Sequence, residues 1–276
     1  LRGIPWYILG MVLFSCMDAV SKHLTTSLSV AQILWVRYAL FTAFGLILAI
    51  SVGGMLSLKT KKPGLQVVRG LTMLGDIGLF TLSFRFLQLA EAHAIAAVAP
   101  LMVMALAVPI LGEKVVRRQW LAVGVGFIAV LLIIRPGSAI FQFVSILPFL
   151  ATISFSFYII LTRLVGRYDS LTTSVFYTGL VGLIIVTFVV PFHWQAPSIE
   201  EAAWLLAASG LGVGAHCCVI RGLSFTEANV LQPFNYVLFL GAIVLGFIVF
   251  NDLPNATTAV GALLVIVSGL YAWYLA

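Results

Sequence analysis

The sequence predicts an all-α membrane protein of ten transmembrane helices, built as two inverted five-helix repeats with both termini in the cytoplasm. Three observations carry this expectation. First, the 276 residues are 62% hydrophobic and only 9% charged, whereas an ordinary soluble domain carries roughly a quarter charged residues. Lipid offers the backbone no water to bond, so spanning segments are helices or a closed barrel. The apolar runs are about 20 residues long, too long for alternating barrel strands of about 10. Second, the basic residues gather on one side of the expected bundle. Third, the chain repeats itself.

Breaks at polar or Gly/Pro clusters give segments at 4–25, 31–52, 66–86, 92–111, 118–135, 143–164, 171–191, 201–221, 228–250 and 256–275. The first follows a short basic start (Leu1, Arg2) and lacks a small-residue cleavage site, so it reads as a retained helix and not a signal peptide. On the N-terminal side of the alternation fall Arg2, Lys59, Lys61, Lys62, Arg69, Lys114, Arg117, Arg118, Arg163, Arg167 and Arg221. The other side has Arg85 and Arg135 near its loops, with Lys22 and Arg37 deeper. By the positive-inside rule, both termini are expected in the cytoplasm. The net charge of +6 is then a topology signal, and no nucleic-acid partner is expected. Cys16, Cys217 and Cys218 fall inside apolar segments without ligand spacing and read as small core residues.

The third segment ends RFLQLAEAH (85–93) and the eighth ends RGLSFTEAN (221–229), with Arg, Leu, Glu and Ala in register. AVG at 122–124 recurs at 259–261. Two copies follow, 1–138 and 139–276, and an odd number of helices per copy inverts the second in the membrane. Inverted repeats are the architecture of secondary transporters, with the binding site near the midplane between the halves.

The run R-x-L-x-L-A-E-A-H, followed by Pro100, LGEK at 111–114 and a glycine-bearing fifth segment, resembles the EamA-type branch of the drug/metabolite transporter superfamily. The resemblance covers essentially the whole chain, including Arg37 near the start of the second segment. It implies a ten-helix carrier of small metabolites, working in the export direction. It also implies a cavity lined by helices one to four and six to nine, and a homodimer through helices five and ten. The second half departs from the pattern where FNDLP (250–254) replaces the expected glycine–glutamate pair.

Intramembrane charges are the first site candidates. An ionised group at bilayer depth costs roughly 2.5–3.5 kcal/mol on insertion scales. Asp18 and Lys22 share one face of the first segment. Asp18 and Arg37 are about equally far from the turn near Leu28, which places them at similar depth. Asp76 lies mid-segment in LGDIG (74–78) and is the better candidate for proton coupling. Asp18, Lys22, Arg37 and Asp76 sum to zero charge, so mutual neutralisation is expected, either as a zwitterion site or as a closed structural network.

His93 opens the fourth segment, with Asn229 as its repeat counterpart, and reads as a helix-end hydrogen-bonding group or a substrate contact. His216 sits deeper, in GVGAHCC (212–218), where an internal partner is expected. Gln232, Asn235 and Tyr236 give the ninth segment a polar face beside Pro233, and Pro100 marks a matching break in the fourth; both prolines are hinge candidates. Tyr158 and Tyr177 are candidates to pack on an apolar or aromatic group of the substrate. Trp6, Trp194, Trp204 and Trp273 read as interfacial anchors. Ala122, Gly126, Gly261 and Gly269 imply close packing of the fifth and tenth segments, within the fold or across a dimer.

These readings converge on a secondary transporter of the bacterial inner membrane, working by alternating access. Amino acids, including bulky apolar and aromatic ones, are the expected cargo, with other amphipathic metabolites or drugs as the alternative. No G-x-x-x-x-G-K-[ST] loop is present, and no metal-ligand spacing occurs, so no cofactor is expected. An aspartyl intramembrane protease would need glycine where Met73 stands, and a passive pore would need a polar stripe through both halves, where the second has no internal ionised residue.

Overall fold

The computed structural model describes residues 2–52, 54–112, 117–134 and 143–274. The described residues form twelve α-helices and four short 3₁₀ turns, with no strand among them. The helices are α1 (Ile4–Leu24), α2 (Val30–Val52), α3 (Pro63–Ser83), α4 (Leu89–Ala96), α5 (Ala99–Leu111) and α6 (Arg117–Ile134). The rest are α7 (Ile146–Val165), α8 (Leu171–Thr187), α9 (Ile199–Phe225), α10 (Ala228–Leu231), α11 (Tyr236–Phe250) and α12 (Ala256–Tyr274). Seven stretches are long and apolar enough to cross a bilayer, and three shorter apolar helices, Trp120–Ile133, Leu171–Thr187 and Ala256–Tyr271, accompany them. This is a multi-pass membrane protein.

Local chemistry sets the helix ends. Proline stands in the first turn of α1 and α3, where its missing N–H costs nothing. Ser170 accepts from the Thr173 N–H at the start of α8, and Ser198 and Glu201 form a reciprocal capping box on α9. α5 ends at Gly112 in the left-handed region (φ 73°).

Two of the expected segments are broken inside the bundle. The fourth is interrupted between α4 and α5, just before Pro100, and the ninth by the 3₁₀ turn Gln232–Asn235, which contains Pro233. Both hinge candidates thus stand at backbone breaks. Beside the second, the Gln232 amide donates to the Ala228 carbonyl at 3.0 Å.

Helix ends gather on two faces. On the N-terminal face, the Gly3 N–H reaches the Thr226 hydroxyl at 3.1 Å, Thr60 and Gln66 bond Asp169, and Arg163 caps the Leu223 carbonyl at 2.7 Å. On the opposite face, Gln32 and Gln195 exchange two bonds, Arg85 reaches the Leu28 carbonyl at 2.8 Å, and Asn255 reaches Glu91 at 3.3 Å. The main packing pairs are α1 with α9, α2 with α8, α3 with α7 and α6 with α12.

The small residues of the fifth and tenth segments work within the fold. A side chain at Gly126 would overlap Leu101, one at Gly261 would overlap Ile133, and one at Gly269 would overlap the Tyr236 hydroxyl. The outward faces of α6 and α12, Leu121 and Leu263 among them, are exposed and apolar. Trp6, Trp194, Trp204 and Trp273 are each partly exposed near helix ends, as interfacial anchors are. All three cysteines are free.

Candidate functional site

Between the halves lies a cavity lined by residues of both. α1, α2, α3, α4, α7, α9, α11 and the 3₁₀ turn Gln232–Asn235 all contribute to its wall. Asp18 lies six residues before the end of α1, Asp76 seven before the end of α3, and Arg37 seven after the start of α2. At ~1.5 Å per residue these charges sit about 9–11 Å inside the face opposite the N-terminus. On helices of 21 to 23 residues that is about 4–6 Å from the middle, close to the depth expected from the repeat. On the N-terminal side the cavity floor rests on a packed apolar cluster that includes Met11, Met73, Tyr158 and Leu223.

Of the sequence-predicted candidates, Asp18, Arg37, Asp76, His93, His216 and Asn235 line this cavity together. Helix geometry places them there: Phe14 and Asp18 are one turn apart on α1, as are Asp76 and Phe80 on α3. Arg37 is 5% exposed, and its Nη2 approaches the Met17 sulfur at 2.8 Å. Asp18 and Asp76 both lie within electrostatic reach of Arg37. Among the described residues neither forms a direct ion pair with it, which leaves the guanidinium and both carboxylates facing the cavity.

The expected four-charge neutralisation is corrected in two respects. Lys22 does not join the set: its Nζ lies 2.6 Å from Asp252 Oδ2, 3.4 Å from the Leu87 carbonyl and 5.0 Å above the Phe250 ring. One turn beyond Asp18, Lys22 is close enough to the helix end to reach the second half, where FNDLP supplies the anion. Asp18 makes no direct contact with Arg37, although it acts on it electrostatically; its Oδ2 lies 3.2 Å from His93 Nε2 without hydrogen-bond geometry, and the His93 ring packs 4.9 Å from Phe80. His93 is therefore a wall residue of the cavity, and not only a helix-end group.

His216 has the expected internal partner. Its Nδ1 lies 3.4 Å from the Tyr158 hydroxyl, and the rings of Phe14 and Phe41 meet it edge-on at 4.6 and 5.4 Å. Its Nε2 and the Asn235 Oδ1 are buried without a hydrogen-bond partner at the cavity wall. Buried polar atoms of this kind are ordinarily satisfied, and a ligand reaching them would satisfy both.

The other candidates sit elsewhere. Tyr158 is fully buried one layer below the cavity, with Arg69 5.5 Å from its ring. Tyr177 stacks edge-on with Phe176, Gln232 is turned into its own helix, and the Tyr236 hydroxyl donates to the Val265 carbonyl of α12 at 3.3 Å. The Asn229 side chain, Glu113, Lys114 and Arg135 lie outside the described residues.

Sequence reasoning gave no site role to Phe14, Phe80, Thr81, Thr152, Phe155 and Phe239; all six line the cavity. The signal was available: Phe14 is four residues before Asp18, Phe80 four after Asp76, and positions four apart share a helix face.

The EamA-like transporter family model matches residues 1–135 and again 142–273. The chain belongs to this family. Its relatives include an S-adenosylmethionine uptake transporter of Rickettsia prowazekii, 27% identical over 99% of this chain and 93% of its own. A riboflavin transporter of Vibrio cholerae is 23% identical over 97% of this chain and 91% of its own. A pseudopaline exporter of Pseudomonas aeruginosa is 22% identical over 96% and 94%. A solved crystal structure superposes on 100% of this chain and 97% of its own with a TM-score of 0.73; at 16% identity it shows the fold alone.

Proposed function

We propose that this member of the EamA-like family is an inner-membrane carrier for an amino-acid-like zwitterion that bears a second positive charge and an aromatic ring, with S-adenosylmethionine the first substrate to test. The observation that carries the reading is the charge set of the cavity: two carboxylates, Asp18 and Asp76, face one guanidinium, Arg37. A substrate with one carboxylate and two cationic centres matches that balance, whereas a neutral amino acid leaves one wall carboxylate uncompensated. In this reading Arg37 takes the substrate carboxylate, as guanidinium groups do well. Asp76 and Asp18 take the ammonium and the onium centre. Phe14, Phe80, Phe155 and Phe239 pack on the ring.

Alternating access fits the rest of the molecule. The helix pairings are nearly symmetric under exchange of the halves: α1 with α9 corresponds to α3 with α7, while α2 with α8 and α6 with α12 correspond to themselves. Together with the doubled family match, this supports two inverted repeats, 1–138 and 139–276, and ten crossings with both termini cytoplasmic. The breaks at Pro100 and Pro233 are where one half flexes against the other. A homodimer through the outward faces of α6 and α12 belongs to the same proposal. Export of a bulky apolar amino acid is the second reading, favoured by the aromatic wall.

The test is counterflow in reconstituted vesicles. Labelled S-adenosylmethionine entry should be stimulated by unlabelled substrate inside. S-adenosylhomocysteine, which lacks the sulfonium charge, should compete at least tenfold less well. Asp76→Asn should narrow that gap, and Arg37→Gln should weaken both ligands. Equal competition by the two compounds in the unaltered protein would refute the charge argument, and preferential exchange of phenylalanine or leucine would favour the second reading.

A further inference from the structure

A second cavity opens between the C-terminal ends of α7 and α9 and the N-terminal end of α8. It shares no residue with the central one. Its wall carries Arg163 and Arg167, with the hydroxyls of Thr162, Ser170, Ser174 and Ser224. Directly behind Thr162 and Ser174 lies Arg69, fully buried. Its Nη1 donates to the Thr162 hydroxyl at 3.4 Å, its Nη2 to the Thr178 hydroxyl at 2.5 Å and to the Ser174 carbonyl, and its Nε to Gln66 at 3.3 Å.

All of these acceptors are neutral. Among the described residues, no carboxylate forms an ion pair with Arg69, Arg163 or Arg167. The nearby anion is Asp169, which also lines the cavity and acts electrostatically on Arg69, while its oxygens accept hydrogen bonds from residues outside the lining. Oδ2 accepts from Thr60 at 2.5 Å and Gln66 at 2.9 Å, and Oδ1 from the Lys61 N–H at 2.9 Å. Three guanidinium groups, two on the wall and one behind it, thus stand against one carboxylate. That surplus of positive charge favours an anion in the cavity.

We propose that this cavity is a binding site for a phosphate-bearing anion, separate from the transport site. Guanidinium groups and hydroxyls are the donors that recognise phosphate oxygens, and the positive end of α8 points the same way. The cavity sits among helix ends on the N-terminal face, the level of the bilayer interface. Basic pockets between membrane helices at that level hold lipid head groups. The phosphate has two sources, an anionic lipid head group or a free phosphate from solution.

The experiment uses the full chain, delipidated in a non-ionic detergent. Its thermal unfolding is followed on addition of phosphatidylglycerol, phosphatidylcholine or inorganic phosphate, with sodium chloride at matched ionic strength as the control. Stabilisation by phosphatidylglycerol beyond phosphatidylcholine identifies a lipid site; stabilisation by inorganic phosphate beyond chloride identifies a site for free phosphate. In either case Arg163→Gln with Arg167→Gln should cut the apparent affinity at least tenfold. Arg163 also holds the Leu223 carbonyl, so Arg167→Glu alone, at an exposed position, is the second variant; it leaves that helix cap intact and should act in the same direction. Retained phosphatidylglycerol counted by native mass spectrometry should fall in parallel. No selective stabilisation by either ligand, or one undiminished in both variants, overturns the proposal.

Discussion

The Lys22–Asp252 bridge joins the end of α1 to the end of α11, and it offers the sharpest test of how this bundle is held. Nζ and Oδ2 are 2.6 Å apart, and the two side chains are 14% and 21% exposed. At an effective dielectric near 20, attraction at that distance is about 6 kcal/mol before desolvation. Desolvation removes most of it, as it does for enclosed pairs generally. Exposed pairs retain about 0–1 kcal/mol and breaking a buried pair from one side costs about 3–5. This pair lies between those limits, so a coupling of ~2 kcal/mol is expected. Lys22→Met keeps the apolar stem against Phe250 but removes the charge and the hydrogen bond to the Leu87 carbonyl. Asp252→Asn leaves the backbone bond from the Asp252 N–H to the Gly246 carbonyl in place. Each single variant should lose about 2–3 kcal/mol in equilibrium unfolding from detergent micelles, and the double variant should lose no more than the worse single. Because the pair is mostly enclosed, 0.5 M salt should leave the coupling nearly unchanged. Single losses that add to within ~0.5 kcal/mol would show that the two charges do not act as a pair, and the account of why Lys22 leaves the cavity set would fail.

Two further outcomes are expected. Gly269→Ala pushes a methyl group into the Tyr236 hydroxyl and should cost about 1–3 kcal/mol, as overpacking does; adding Tyr236→Phe removes the clashing oxygen and should restore part of that stability in the same unfolding assay. Asp169, in the turn between α7 and α8, is held below the ordinary carboxylate range: partial burial works against this but is outweighed by the Lys61 N–H, Thr60, Gln66 and the Lys61 charge. A depressed carboxylate stabilises the fold above its unfolded pKa and loses that contribution as pH falls through the folded one. The melting difference between the unaltered protein and Asp169→Asn should therefore be full at pH 7 and shrink below about pH 4; a difference constant to pH 3 would contradict it.

The helices were legible because bilayer thickness fixes their length and composition, and the breaks at Pro100 and Pro233 because proline cannot donate to the ladder it interrupts. The common depth of Asp18 and Arg37 followed from helical rise and the position of one turn. What did not follow was partner choice. Local spacing put Lys22 beside Asp18, yet four residues of helix advance Lys22 by ~6 Å toward the surface, enough to bring it level with Asp252, 230 positions away in sequence. Asp18, left deeper, meets His93 at the start of α4. Charge counting along the first half could not find Asp252, which lies in the second, and it passed over His93 because it counted only groups of fixed charge. The same blindness hid Arg69, which looked like one more basic residue of the positive side until the fold buried it behind Thr162 and Ser174 with neutral hydrogen-bond acceptors and no direct ion pair among the described residues. Lys22, in the first half, finds its counter-charge in the second. Neutrality read within a half is therefore no guide to pairing, and the surplus that remains after both halves are assembled is what marks a place for a ligand.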